Sequence, residues 1–217
     1  MQEPAMTPGL HEQFLLPDGR RYAISLPPGY APSESWPLVM ALHWGGPVAP
    51  FTGKWLLAGL IEPALRALDA VLVAPDRTQE DWANLQSETE TLELMRFVQD
   101  RYSIDPQKTL LCGYSLGGIG TWYMAARNQT LFTAALPISA APFASSTEIE
   151  WRIPLYVIHS RQDEIFPFAT VEAVVRDLQE KGCAIELLVV DGITHFATEG
   201  FVRPLQTAVD WIQNQWA

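Results

Sequence analysis

A single serine stands at the end of an apolar run and is surrounded by small residues. The stretch TLLCGYSLGGIG (109–120) places Ser115 directly after a strand-like segment and directly before a helical one. A strand-to-helix reversal this tight strains its central residue and leaves no room for large residues two positions away. Gly113 and Gly117 supply that room. The pattern predicts a Ser115 hydroxyl that is pushed into the open as a nucleophile; the alternative is an ordinary turn with a capping serine.

A serine nucleophile needs a base, and the base needs an acid that orients it. After a strand-to-helix turn of this kind, the chain order is serine, then Asp or Glu, then His. His195 is the one histidine well downstream of both Ser115 and any acidic loop, and it follows the last strand-like run. We therefore predict His195 as the base and Asp163, on the loop after LYVIHS (155–160), as the acid, with Glu164 as the fallback.

Four other titratable residues near strand ends are expected to be structural. Asp191 is closer to His195 in sequence, but it ends its own strand, and Asp76 precedes the serine. His43 and His159 also stand at strand ends, where a histidine braces a loop more often than it satisfies the geometry of a catalytic base.

Attack by a serine also requires two N–H donors for the negative charge that develops on the substrate oxygen. One predicted donor is the backbone N–H of Leu116, the residue after the nucleophile. The other is expected from HWGGPVAPF (43–51), where glycines let the backbone approach a substrate closely. Gly45 is the predicted donor and Trp44 the alternative, unless the Gly-Gly-Pro sequence is simply a turn.

The elements that must position these residues alternate along the chain. Strand-like runs occupy residues 21–26, 38–44, 70–75, 109–113, 133–138, 155–160 and 185–190. Several of them are nearly continuous apolar runs, which are typical of strands buried on both faces of a parallel sheet. Segments of helical period lie between them, and this alternation predicts an α/β fold. Functional residues of such sheets lie beyond the carboxyl ends of the strands.

Local signals refine this outline at three places. The segment HEQFLLPDGRRYAISL (11–26) predicts a hairpin that turns at Asp18 and Gly19 and adds an antiparallel edge to the sheet. Ser87 is predicted to cap the helix that carries Leu92, Met95, Val98 and Tyr102 on one face. Gly182 is predicted to end a later helix, which carries Val171, Val174, Val175 and Leu178 on one face. Residues 201–212 carry a last helical pattern.

Composition narrows the class of protein. The 217 residues, of which 48% are hydrophobic and 18% charged, predict one globular domain over residues 1–217. A net charge of −11 argues against nucleic acid or an anionic membrane as partner. No apolar run is long enough to span a membrane and no secretory signal is evident, so a cytoplasmic location is expected. Cys112 and Cys183 lie outside metal patterns and are expected to be free.

The segments LHWGG (42–46), YSIDPQKTLLCGYSLGGIGTW (102–122), HSRQDEIFP (159–167) and DGITHF (191–196) carry a resemblance to a known family. Over essentially its full length the chain resembles the α/β-hydrolases. Within them it looks closest to compact serine carboxylesterases similar to polyhydroxybutyrate depolymerases and feruloyl esterases. The resemblance implies an α/β-hydrolase fold, a mostly parallel twisted sheet with helices on both faces. It also implies a Ser115–Asp163–His195 triad and no metal or organic cofactor.

Two features bear on the substrate. The family's oxyanion loop commonly begins His-Gly, whereas here Trp44 follows His43. The connection 139–153 is too short for a cap domain, which predicts an open site. The loop aromatics expected to line the site, with ordinary packing as the alternative, are Trp44, Trp82, Phe143 and Phe166.

The predicted reaction is hydrolysis of a small-molecule carboxylic ester through an acyl-enzyme. A peptidase or thioesterase with the same triad remains an alternative, as does a non-catalytic binding protein on the same scaffold. Haloalkane dehalogenases would carry Asp and dienelactone hydrolases typically carry Cys at the nucleophile position, so Ser115 argues against both. The sequence does not indicate an oligomeric state.

Overall fold

The strands form one eight-stranded sheet in a computed structural model that describes residues 6–15, 18–47 and 49–217. In chain order they are β1 (Gly9–Leu15), β2 (Arg20–Leu26), β3 (Trp36–Leu42), β4 (Val71–Pro75), β5 (Ile104–Tyr114), β6 (Ala134–Ile138), β7 (Leu155–Ser160) and β8 (Ile185–Val190). Their order across the sheet is β1-β2-β4-β3-β5-β6-β7-β8. All pairs from β4 to β8 are parallel, and β1 and β2 add an antiparallel edge.

The predicted hairpin is confirmed. Strands β1 and β2 pair from Gly9 opposite Leu26 to Leu15 opposite Arg20, and Gly19 has a φ of +75°. Residues 16 and 17 of the connection lie outside the described residues. All seven predicted strands form, but β5 begins at Ile104, earlier than its apolar run, where it pairs with Trp36 at the start of β3.

Seven α-helices connect or follow the strands in the described part of the chain. They are α1 (Thr52–Leu56), α2 (Glu62–Leu65), α3 (Leu85–Arg101), α4 (Leu116–Arg127), α5 (Phe168–Glu180), α6 (Val202–Gln206) and α7 (Val209–Gln215). A turn of π-helix, Leu57–Ile61, joins α1 to α2. The C-terminal pattern over 201–212 therefore forms two short helices instead of one.

The helix ends confirm one predicted cap and correct another. Asn84, and not Ser87, is the N-cap of α3, because the Asn84 side chain accepts a hydrogen bond from the Ser87 N–H at 2.9 Å. Gly182 has a φ of +81° and follows the end of α5. Its N–H donates to the Gln179 carbonyl, and the Cys183 N–H donates to the Leu178 carbonyl, which is the bonding of a Schellman motif.

Helices cover both faces of the sheet, so the parallel strands are buried on both sides. Apolar residues of α3, α4 and α5 pack on one face, and those of α1, α2, α6 and α7 pack on the other. Successive strand residues alternate between the two layers: Leu111 faces the first and Cys112 the second. Both cysteines are free, and burial raises the pKa of the Cys112 thiol to about 12.

One end of the sheet carries the carboxyl ends of the parallel strands β3, β5, β6, β7 and β8, and the loops that follow them meet there. Between β6 and β7 the chain forms one 3-10 turn, Ala144–Glu148, and no cap domain occurs in the described residues. Among the helices of the described segments, none is both long and apolar enough to cross a membrane.

Candidate active site

Ser115 occupies the strained turn between β5 and α4. Its φ of 57° and ψ of −120° lie outside the helix and strand regions. A Cβ at Gly117 would lie 1.9 Å from the Leu42 carbonyl oxygen, and one at Gly113 would lie 2.2 Å from the Gly117 carbonyl oxygen. No side chain fits at these distances, so both positions require glycine for the reason predicted from the sequence.

The next two glycines of the stretch serve the packing of α4. A Cβ at Gly118 would lie 2.5 Å from the Ala140 Cβ, and one at Gly120 would lie 2.4 Å from the Trp82 Cβ. The four glycines around Ser115 therefore let one helix approach β3, the loop after β6 and the segment after β4 more closely than any side chain permits.

His195 connects Ser115 to Asp163. The Ser115 Oγ lies 2.8 Å from His195 Nε2, and His195 Nδ1 lies 2.9 Å from Asp163 Oδ2 and 3.1 Å from Oδ1. The carboxylate can only accept, so Nδ1 carries the proton and the lone pair of Nε2 faces the serine hydroxyl. This tautomer can take a proton from Ser115, and the structure thus brings the three predicted residues within hydrogen-bond distance of one another in the order that a triad requires.

Asp163 is held as an anion. Its side chain has no exposed surface, and burial alone would raise its pKa. The hydrogen bonds that it accepts from His195, the Phe166 N–H and the Ser139 hydroxyl outweigh this and lower the pKa of Asp163 to about 2. Oδ1 also accepts from the Ile165 N–H at 3.0 Å.

The backbone of His195 is fixed on both sides. Glu164 accepts the His195 N–H at 2.8 Å, and the Tyr114 hydroxyl donates to the His195 carbonyl. Glu164, the fallback acid, therefore holds the base loop through its backbone, while Asp163 contacts the ring. Burial raises the pKa of Tyr114 to about 12, so its hydroxyl stays protonated as a donor.

The two residues predicted to supply the oxyanion donors, Leu116 and Gly45, lie close together. Leu116 is the first residue of α4, where N–H groups have no partner inside the helix. A Cβ at Gly45 would lie 3.4 Å from the Leu116 Cδ2, so the loop after β3 contacts the start of α4. The Ser115 N–H is not available to a substrate, because it donates to the Ile138 carbonyl at 3.0 Å.

The segment after β4 fixes the loop after β3. The Arg77 N–H donates to His43 Nε2 at 3.2 Å, and the Arg77 guanidinium donates to the Gly46 carbonyl at 2.8 Å. His43 Nδ1 donates in turn to the Trp44 carbonyl at 2.8 Å. Burial favours the neutral imidazole and lowers the pKa of His43 to about 4. His43 braces this loop, as expected.

The other residues that we expected to be structural also lie outside the triad. Asp76 accepts from the Phe51 N–H at 2.7 Å and from Arg21 at 2.8 Å. Asp191 is exposed and pairs with Arg161 at 3.5 Å. His159 is buried and contacts the Phe166 carbonyl through Nε2 at 2.9 Å, so it braces the loop that carries the acid.

The four loop aromatics differ in position. Trp82 is only 2% exposed, and its indole N–H donates to the His43 carbonyl at 2.8 Å, so it supports the loop after β3 and has little surface to offer a substrate. Trp44 is half-buried against the core. Phe143 is 40% exposed and its ring centroid lies 6.4 Å from that of Tyr123.

Of the four, Phe166 has a ring contact with the triad. Its ring centroid lies 5.4 Å from that of His195, edge to face. Phe196, which the sequence analysis missed, has the same separation from His195 and is 76% exposed. Its position directly after the predicted base was the signal available in the sequence. The two rings form an apolar rim beside the base.

A metal site is not evident in the part of the chain that the structure describes: no three His, Cys, Asp or Glu side chains there are grouped so that they could hold an ion.

Comparison with known families identifies the chain. The model of the dienelactone hydrolase family matches residues 74–208, a range that includes Ser115, Asp163 and His195. The chain belongs to the dienelactone hydrolase family. We expected Ser115 to argue against a dienelactone hydrolase, and this expectation is wrong at the level of the family. The match extends over residues 74–208, so the one side chain at position 115 does not decide it.

Two fungal relatives of this chain are named as esterases. A probable feruloyl esterase C of Aspergillus terreus is 25% identical over 195 residues, which cover 84% of this chain and 68% of the relative. Feruloyl esterase C of Emericella nidulans is 25% identical over 178 residues, covering 76% and 62%. The chain thus spans about two thirds of the length of these relatives.

Solved structures confirm the fold. A thermostable esterase superposes with a TM-score of 0.77 at 21% identity, covering 94% of this chain and 62% of that one. A ferulic acid esterase superposes with a TM-score of 0.77 at 15% identity, covering 97% and 100%. The fold is that of the α/β-hydrolases, as the sequence resemblance implied. The named relatives are esterases, and the family match agrees with the fold that these structures show.

Proposed function

We propose that this protein is a serine esterase that hydrolyses carboxylic esters through an acyl-enzyme on Ser115. The observation that carries the proposal is the position of the Ser115 hydroxyl at the strained turn, 2.8 Å from His195 Nε2, with Asp163 on the opposite side of the same imidazole. A nucleophile, a base in the correct tautomer and a buried acid are the three groups that acyl transfer requires.

The first half-reaction forms the acyl-enzyme. His195 Nε2 takes the proton of Ser115 as Oγ attacks the ester carbonyl, and a tetrahedral intermediate forms. The N–H groups of Leu116 and Gly45 donate to its negative oxygen. As the carbonyl re-forms, the bond to the alcohol breaks, and the alcohol leaves with the proton from His195.

The second half-reaction releases the acid. A water molecule gives its proton to His195 Nε2 and attacks the acyl carbonyl, and the second intermediate collapses with return of the proton to Ser115. Asp163 keeps the imidazole in the required tautomer and stabilises its positive charge in both halves. His195 is thus the base when each nucleophile attacks and the acid when each intermediate collapses.

Aromatic acyl groups are the first substrate class to test. The fungal relatives are named feruloyl esterases, and the rings of Phe166 and Phe196 flank His195 at 5.4 Å. Aromatic rings favour edge-to-face contact with one another at such distances. An aromatic acyl group that extends from the ester carbonyl towards Phe166 and Phe196 would contact these two rings.

The test is a panel of substrates at matched concentration. It contains methyl ferulate, p-nitrophenyl acetate, butyrate, octanoate and laurate, an acyl thioester and a peptide p-nitroanilide. The proposal expects turnover of oxygen esters with kcat/KM well above that for the thioester and the anilide. A dominant rate on the thioester or the anilide would show the alternative chemistry of the same triad. No turnover of any member, with no labelling by a fluorophosphonate, would support the binding-protein alternative.

A further inference from the structure

Ser139 is a buried residue at the carboxyl end of β6 that the predicted mechanism leaves without a role. It has no exposed surface, and its φ of +50° lies in the left-handed region that side chains rarely adopt. Its N–H donates to the Ile158 carbonyl at 2.9 Å. Residues held in this conformation cluster at functional sites, where their surroundings fix them.

The Ser139 hydroxyl contacts both members of the acid–base pair. It donates to Asp163 Oδ2 and lies 3.2 Å from His195 Nδ1. The same Oδ2 accepts from His195 Nδ1 at 2.9 Å, while Oδ1 accepts two backbone N–H groups of the acid loop. The carboxylate therefore receives a hydrogen bond from Ser139 that competes with the one from the imidazole.

The position of Ser139 excludes it as a second nucleophile. Its hydroxyl is on the Nδ1 side of the His195 ring and is buried, whereas Ser115 is on the Nε2 side and is half-exposed. A nucleophile has to reach a substrate and give its proton to a free lone pair, and Nδ1 already carries a proton. Asp163 is therefore the group through which Ser139 can act on the reaction.

We propose that Ser139 is a positioning residue that orients the Asp163 carboxylate and limits how strongly it favours the charged form of His195. This inference rests on the proposed role of His195 as the base. A donor to the carboxylate disperses its negative charge, so less of it stabilises the imidazolium. Removal of the hydroxyl should therefore raise the pH at which the enzyme loses activity on the acid side.

Other titratable groups also face the Asp163–His195 pair, and they are unchanged when the Ser139 hydroxyl alone is removed. His159 on β7 has Nε2 3.9 Å from Asp163 Oδ2, and burial lowers its pKa. Tyr114 on β5 donates to the His195 carbonyl, and Glu164 accepts the His195 N–H. A change in pH dependence caused by removal of the Ser139 hydroxyl alone is therefore not due to loss of one of these charges.

The test removes the hydroxyl in two ways. Ser139→Ala keeps a side chain at a φ of +50°, whereas Ser139→Gly relieves that strain, so the two variants share the lost hydroxyl and differ in backbone. We expect the acid limb of the kcat/KM profile for p-nitrophenyl butyrate to move up by roughly 0.5–1 pH unit in both. KM should change little.

A matched control and a second readout complete the design. Ser160 is also buried, at the carboxyl end of β7, but its hydroxyl donates to the Ile193 carbonyl and accepts from the Gln162 N–H. Ser160→Ala should therefore leave the acid limb in place. The carbon-bound proton signals of the His195 ring, followed by NMR against pH, report the same effect without any substrate.

An unchanged limb and an unchanged His195 titration in both Ser139 variants would overturn the inference, as would a shift in only one of them. Failure of the proposed function is distinguishable from this. It appears as absence of ester hydrolysis in the wild type, and the NMR titration then still decides whether Ser139 acts on His195.

Discussion

Replacement of Gly117 by alanine tests whether the turn at Ser115 depends on the close approach of α4 to β3. A Cβ at this position would lie 1.9 Å from the Leu42 carbonyl oxygen, 2.4 Å from its carbon and 2.8 Å from the His43 carbonyl oxygen. These are backbone atoms of the end of β3 and of the oxyanion loop, and they cannot turn aside as a flexible side chain can. In Gly117→Ala the start of α4 must therefore move away from β3.

The size of the expected effect follows from these distances. Ordinary contact begins at 3.4 Å, so the two backbones have to separate by about 1.5 Å. This movement carries Ser115 and Leu116 away from Gly45. A misplacement of about 1 Å in an active site costs on the order of 100-fold in rate. Overpacking in a tight site costs about 1–3 kcal/mol in the free energy of unfolding, or a Tm lower by roughly 2–12 °C for a chain of this length.

The assay compares two glycine-to-alanine variants. Gly59, in the π-helical turn, has no heavy atom within 4 Å of the Cβ that alanine would add. Gly59→Ala should therefore keep the wild-type kcat/KM and Tm, or raise the Tm slightly because alanine favours helix. Steady-state kinetics and thermal unfolding of both variants decide the matter. Wild-type activity and stability in Gly117→Ala would refute the close approach on which this account of the turn depends.

Three further predictions concern the groups around the triad. Asp163→Asn should lower kcat on the order of 10³- to 10⁴-fold. Because the pKa of Asp163 is lowered to about 2 from 3.8, the stability that its charged form contributes is complete above about pH 4 and is lost as the pH falls toward 2. The free energies of urea unfolding of the wild type and of Asp163→Asn should therefore differ by an amount that changes across this range. A constant difference would contradict the reasoning. The pKa of His43 is lowered to about 4 from 6.5, so the wild type should lose stability as the pH falls from about 6.5 to 4, and His43→Gln should lose less; equal losses would argue against a buried neutral His43. Trp82→Phe leaves the His43 carbonyl without its indole donor, and we expect a loss of about 1–3 kcal/mol in the free energy of unfolding together with a lower kcat; a change in KM alone would favour a substrate-lining role for Trp82.

The sequence was sufficient where one local pattern carries the information. Continuous apolar runs predicted the buried parallel strands, because a strand covered on both faces has no polar side. The pair Gly113 and Gly117 predicted the turn around Ser115, since the steric requirement at the turn is local. The chain order of serine, acid and histidine predicted Asp163 and His195 as a pair, and the fold brings them within hydrogen-bond distance.

Contacts that no motif or local pattern specifies were not predictable. Ser139 reaches Asp163 only because β6 and β7 are neighbours in the sheet. Trp82 seemed a loop aromatic, but its neighbour is the His43 carbonyl, which lies 39 residues away in the sequence. Asn84 displaced Ser87 as helix cap because either residue can supply the side-chain acceptor, and only the backbone geometry shows which one does.

The central claim is that Ser115 is the activated nucleophile, and the direct measurement is covalent labelling combined with turnover. Wild type, Ser115→Ala and Ser139→Ala are each treated with a fluorophosphonate, digested and analysed by mass spectrometry, and each is assayed on p-nitrophenyl butyrate. The account predicts a label on Ser115 in the wild type and in Ser139→Ala, with none in Ser115→Ala and a loss of kcat of at least about 10³-fold in that variant. Hydrolysis that persists in Ser115→Ala, or a label on another residue, would contradict it.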